Sequence, residues 1–88
     1  MIRTLTIVNE KGLHARASAK FVETVERFDA QAAVTKDDMT VPGNSIMGLM
    51  MLAASKGCRI VVETTGKEAE SLAKALDALL ADYFGEAK

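Results

Sequence analysis

Cysteine, histidine and proline occur once each in this chain of 88 residues, and aromatics are scarce, with one Tyr and three Phe. A lone Cys58 forms no intrachain disulfide, and a lone His beside it offers no ligand set at metal-binding spacing, so no metal is expected. The strand-borne aromatics on which an RNA reader stacks its bases are missing, because Phe21 and Phe28 fall on a helical stripe. Net charge is -1, so no overall basic field draws the chain to nucleic acid or to an anionic membrane. No apolar run reaches the ~20 residues of a membrane span, and Met1-Ile2-Arg3-Thr4 lacks the apolar core and cleavage site of a signal peptide. No repeat, low-complexity tract or linker divides the sequence. The expectation is a cytoplasmic protein forming one domain over residues 1–88, with no nucleic-acid or membrane partner.

What is present is a regular succession of patterns. Residues 2–8 alternate as a strand, with Leu5 and Ile7 on one face and Thr4 and Thr6 on the other. One polar face points to a sheet covered on one side only, hence antiparallel. Asn9-Glu10-Lys11-Gly12 reads as a loop. Ser18, Phe21, Val22, Val25 and Phe28 then share one stripe at 3.6-residue spacing, which predicts a helix from Ala15 or Arg16 to Arg27. Gln31–Lys36 and Met39–Val41 read as strands around an Asp37-Asp38 hairpin turn, and Pro42-Gly43 stops the second.

Asn44-Ser45 is an N-cap signal for a helix from Ile46 to about Ala54, with Gly57 as its expected C-cap. Arg59–Thr64 is the clearest strand. Lys67–Tyr83 reads as a helix with Ala69, Leu72, Ala73, Leu76, Leu79, Leu80 and Tyr83 on one face, and Gly85 lies just past its end. The order is β-α-β-β-α-β-α. Amphipathic helices need one apolar face to cover, so the expected fold is α+β, a four-stranded antiparallel sheet with the helices on one side.

The chemistry concentrates where the first strand pattern gives way to the first helix. His14 stands there, beside backbone N–H groups without intrahelical partners and at the positive end of the helix dipole. By itself a loop histidine implies nothing; this position is one that binds anions, phosphate above all. Gly12 permits a close backbone approach, Ala15 and Ala17 are too small to block an anion, and Arg16 supplies a planar guanidinium suited to phosphate oxygens. The backbone N–H groups of Ala15, Arg16 and Ala17 are the expected phosphate donors. No Ser or Cys pairs with His14 as a catalytic nucleophile. Phosphoryl acceptance on the imidazole fits best.

Ser45 is sufficiently explained as a helix cap, and added phosphate at that helix start would also be tolerated, so capping and regulation are compatible. The run Ile46–Leu52 is almost wholly apolar. Ile46, Leu49 and Leu52 are expected inward or partly so, and Met47 and Met50 outward as adaptable contact residues. Cys58 is expected to be structural filler.

Gly-Leu-His-Ala-Arg around His14, Asn-Ser-Ile-Met-Gly-Leu-Met around Ser45 and the order of elements together resemble HPr, the histidine-containing phosphocarrier family of the phosphoenolpyruvate-dependent phosphotransferase system. The resemblance covers essentially the whole chain; residues 44–52 with Ser55-Lys56-Gly57 also look like the nitrogen-related branch, NPr. It implies an open-faced β-sandwich with three helices. It implies that His14 takes phosphate on Nδ1 from phospho-enzyme I and passes it to an EIIA-type domain, with Arg16 contacting the phosphate. It further implies Ser45 as the site of HPr kinase/phosphorylase in lineages that have that enzyme, and Met47, Leu49 and Met50 as the docking patch. The implied protein is a monomeric carrier without cofactor, a substrate of phosphotransferases and not itself an enzyme. Ala17 departs from the family's usual proline, which frees one N–H and removes rigidity at the helix start. Of the rival readings, an RNA reader lacks its strand aromatics. A small-molecule sensor stays open, although nothing outside the His14 loop suggests a pocket. A partner-binding paralogue that carries no phosphate is opposed by the presence of His14 and Arg16.

Overall fold

In the computed structural model, which describes residues Met1–Lys88, the period-two segments become strands and the period-3.6 segments helices. They run β1 (Ile2–Thr6), α1 (Ala15–Glu26), β2 (Gln31–Lys36), β3 (Met39–Pro42), α2 (Ile46–Met51), β4 (Arg59–Thr65) and α3 (Ala69–Ala81), followed by a 3₁₀ turn over Tyr83–Gly85. The sheet order is β1-β4-β2-β3 and every pairing is antiparallel. All three helices lie over one face of this open sheet.

Alternation decides which face they cover. Ile60, Val62 and Thr64 of β4 point into the core, while Arg59, Val61 and Glu63 face outward. The register sets Val62 opposite Val34 and Val34 opposite Val41, so one row of β-branched side chains crosses the inner face. Phe21 and Val25 of α1, Leu49 of α2 and Leu72 and Leu76 of α3 close over that row. Each such side chain contributes about 1.5–3 kcal/mol on burial. Pro42 extends β3 by one residue beyond the expected stop, which an edge strand allows because its outward N–H is not needed.

The element ends depart from expectation by more than one residue in four places. The first strand ends at Thr6, although Ile7 still exchanges backbone bonds of 2.8 Å with Gly57 and Cys58 before the loop begins. Helix α2 ends at Met51, not Ala54. Its last turn tightens through bonds from Leu52 to Leu49 and from Ala53 to Met50, and Ala53 (φ 51°) makes the left-handed reversal that had been assigned to Gly57.

Helix α3 starts at Ala69 because Glu68 turns outward to bond the Asp29 N–H with its side chain at 2.7 Å. It ends at Ala81, where Tyr83 and Phe84 both adopt left-handed φ and rotate the chain off the helical stripe. Tyr83, expected on the buried face, is therefore 41% exposed, and Phe84 takes its place in the core at 0%.

Candidate functional site

The loop of residues 9–12 is held by one side chain. Asn9, wholly buried, donates from Nδ2 to the Gly12 carbonyl at 2.9 Å, and the Gly12 N–H returns to the Asn9 carbonyl at 3.2 Å. Gly12 has a positive φ of 68° and rests against the Ala54 carbonyl. Leu13 then donates its N–H to that same carbonyl at 2.9 Å, which seats the loop on the turn after α2.

This placement makes His14 the N-cap of α1. Its backbone is extended and its Nδ1 accepts the Arg16 N–H at 3.3 Å, a role more often taken by Ser, Asp or Asn. An atom that accepts an N–H has a lone pair, so Nδ1 is the unprotonated ring nitrogen. On the other side, Nε2 lies 2.5 Å from Glu86 Oε2. Glu86 Oε1 accepts Asn9 Nδ2 at 3.0 Å. The hydrogen bond from Asn9 is the main cause that lowers the Glu86 carboxyl pKa below its ordinary value of 4.5; His14 and Lys11 add to it and partial burial opposes it.

The expected donors divide. Ala15 and Arg16 are exposed at the helix start, and no backbone carbonyl of the chain takes the Ala15 N–H. Ala17 is wholly covered because its methyl group faces the core, so the surface donors are those of Ala15 and Arg16, not of all three residues. The Arg16 guanidinium makes no ion pair with any carboxylate of the chain. A hollow of about 400 Å³ beside the imidazole collects the cations Lys11, Arg16, Lys20 and Lys88 against Glu10 and Glu86. Such a surplus suits an anion.

Ser45 caps α2 as expected, its Oγ accepting the Gly48 N–H at 3.0 Å. Met47 is 71% exposed and Met50 41%, but Leu49 is 0% exposed. Leu49 therefore leaves the docking patch: the i, i+3 stripe that includes Leu49 and Leu52 is the one α2 turns inward. Met51, not singled out from sequence, is 64% exposed, and Ile46 is more open than expected at 41%. Cys58 packs partly against the core, its thiol pKa lowered by hydrogen bonding to Ser55.

Sequence reasoning missed Asn9, Lys20 and Glu86. Asn9 was visible only as a turn residue, and Glu86 lies 72 positions from the histidine it contacts, so no local pattern could join them. No helix is long and apolar enough to cross a membrane.

Residues 1–82 match the family model described as "PTS HPr component phosphorylation site". The chain belongs to the HPr family. The phosphocarrier protein HPr of Neisseria meningitidis serogroup A is 50% identical over 84 residues, covering 96% of this chain and 94% of that protein. The phosphocarrier protein NPr of Escherichia coli K12 is 38% identical over 85 residues, 96% and 94% of the two chains. The crystal structure of HPr-C-His from Thermoanaerobacter tengcongensis superposes with a TM-score of 0.94 at 40% identity, covering 100% of this chain and 99% of that one. The open antiparallel sheet under three helices is thus the HPr fold, and the chain belongs to the phosphocarrier family that carries it.

Proposed function

We propose that His14 is the phosphoryl acceptor, taking the group on Nδ1 from phospho-enzyme I and giving it to an EIIA-type domain. The observation that carries this reading is the ring's orientation. Nδ1, with its lone pair, faces the first turn of α1, where backbone donors and the unpaired Arg16 await an anion. A phosphoryl group arriving there meets the Ala15 and Arg16 N–H groups and the guanidinium, which together offset its charge.

A few backbone donors and one flexible guanidinium suit a carrier, whose phosphate must leave as readily as it arrives. The donor enzyme supplies the catalytic machinery; this chain is its substrate, resident in the cytoplasm. Met47 and Met50, exposed on α2 close after Ser45, are the contact residues for both partners. Ser45 is the regulatory site, where a phosphate placed by HPr kinase/phosphorylase would repel an acidic partner face.

The test is incubation with phosphoenolpyruvate and enzyme I, followed by intact mass before and after mild acid. One added phosphate, lost in acid and absent from His14→Ala, is expected. An unlabelled protein under an active enzyme I, or label retained in His14→Ala, would overturn the assignment.

A further inference from the structure

Behind the imidazole, residues from opposite ends of the chain form a relay. Glu86 Oε2 meets His14 Nε2 at 2.5 Å, Glu86 Oε1 accepts from Asn9 Nδ2 at 3.0 Å, and the same Nδ2 donates to the Gly12 carbonyl at 2.9 Å. Both partners of that amide nitrogen are acceptors, which fixes the way Asn9 faces. The segment that delivers Glu86 is anchored in turn. Phe84 is wholly buried, and Lys20 Nζ holds the Phe84 carbonyl at 2.6 Å.

Glu86 is a carboxylate at neutral pH and so an acceptor only. The proton between it and His14 therefore sits on Nε2, in agreement with the lone pair that Nδ1 turns to the Arg16 N–H. A second ring nitrogen fixed by a hydrogen bond determines which one can act as a nucleophile.

We infer that Glu86, held by Asn9, is a positioning residue for phosphoryl transfer: it holds His14 in the Nε2–H tautomer and faces the charge that the ring acquires. This rests on the reading of His14 as the acceptor. In the transfer, the Nδ1 lone pair forms the bond to phosphorus, while the bond from phosphorus to the phosphorylated donor protein breaks and its electron pair stays with the donor. No proton leaves the imidazole. With Nδ1 phosphorylated and Nε2 still protonated the ring is cationic, and Glu86 Oε2 lies against it as a carboxylate lies against an imidazolium in a hydrolase triad. Onward transfer returns the electron pair to Nδ1 and the ring to neutrality.

The test compares wild type, Glu86→Ala and Glu86→Gln by two readouts. The first is the ring tautomer, read from imidazole 15N shifts in alkaline solution; His14 is the only histidine, so the signals are unambiguous. The second is the initial rate of acid-labile phosphate uptake from phosphoenolpyruvate and enzyme I. Wild type is expected as the Nε2–H form, and Glu86→Ala as a mixture of tautomers with a rate lower by about tenfold or more. Glu86→Gln, whose single uncharged amide oxygen can accept from His14 Nε2–H or from Asn9 Nδ2 but not from both, is expected to fall between the two in tautomer and in rate.

Unchanged tautomer in Glu86→Ala, or an unchanged rate despite a changed tautomer, overturns the inference. Wild type that takes no label from an enzyme I able to charge another HPr overturns the acceptor reading instead. The tautomer comparison still decides, independently of labelling, whether Glu86 orients the ring.

Discussion

The Leu13 N–H donates to the carbonyl of Ala54 at 2.9 Å, joining the loop before α1 to the turn after α2. Neither segment is regular structure, yet this bond seats the histidine loop against the turn that ends the methionine-bearing helix. The same carbonyl crowds Gly12, where a Cβ would approach it to 2.5 Å and Ser55 Cα to 2.9 Å. Nothing larger than glycine fits without moving backbone.

Gly12→Ala adds that clash to a left-handed φ of 68°. The expected loss is about 1–3 kcal/mol of stability, measured by urea denaturation, with slower phosphoryl uptake because His14 shifts. An unchanged midpoint would show that the loop has slack.

Arg16→Ala removes an exposed guanidinium that pairs with no carboxylate. Stability should hold within about 0.5 kcal/mol, while the rate of phosphoryl acceptance falls by about tenfold or more. Thermal melts and rapid-quench kinetics check both, and equal kinetics would remove Arg16 from the site.

Ser45→Ala deletes the Oγ that accepts the Gly48 N–H and should cost about 1 kcal/mol. Ser45→Asp keeps a capping oxygen, so its melting temperature should stay near wild type while its affinity for enzyme I drops by about tenfold. Titration calorimetry separates the two, and equal affinity for Ser45→Asp and wild type would end the regulatory reading.

Leu49 and Met47 should behave oppositely although both lie on α2. Leu49→Ala opens a cavity under the helix and should cost about 2–5 kcal/mol. Met47→Ala, at a largely exposed position, should change stability by under about 0.5 kcal/mol and weaken partner binding. A Met47→Ala protein with full affinity for enzyme I would displace the docking surface from this helix.

Glu86 carries a pH signature. Its carboxyl titrates below 4.5 in the folded chain and near 4.5 when unfolded, so its stabilisation is fully present above that value and is lost as pH falls through the folded pKa. The stability difference between wild type and Glu86→Gln should therefore shrink as the pH is lowered from neutral to below 4.5, followed by urea midpoints. A constant difference would mean that the bond from Asn9 does not favour the charged form.

Local pattern carried the reading wherever burial is periodic. Ile60, Val62 and Val34 had to share a face because side chains alternate along strands, and Phe21 and Val25 had to share a stripe because a helix turns every 3.6 residues. Pattern failed at element ends, where single backbone angles decide. Ala53, Tyr83 and Phe84 take left-handed φ although none is glycine, and so no residue type marked those reversals. Packing supplies the reason for Phe84, whose ring is wholly buried in the core while the reversal leaves Tyr83 outside.

By itself the sequence determined the order of strands and helices, the place of His14 at a helix start, the capping position of Ser45, and the chemistry an imidazole at a helix start can perform. These follow from interactions within a few residues. Only the tertiary structure decided that Phe84 and not Tyr83 enters the core and that Ala17 is covered. It also decided that Asn9 and Glu86, separated by 77 positions, meet and hold the back of the histidine ring. A contact between distant residues is fixed by how the sheet and helices pack, and that packing leaves no local signature in the chain.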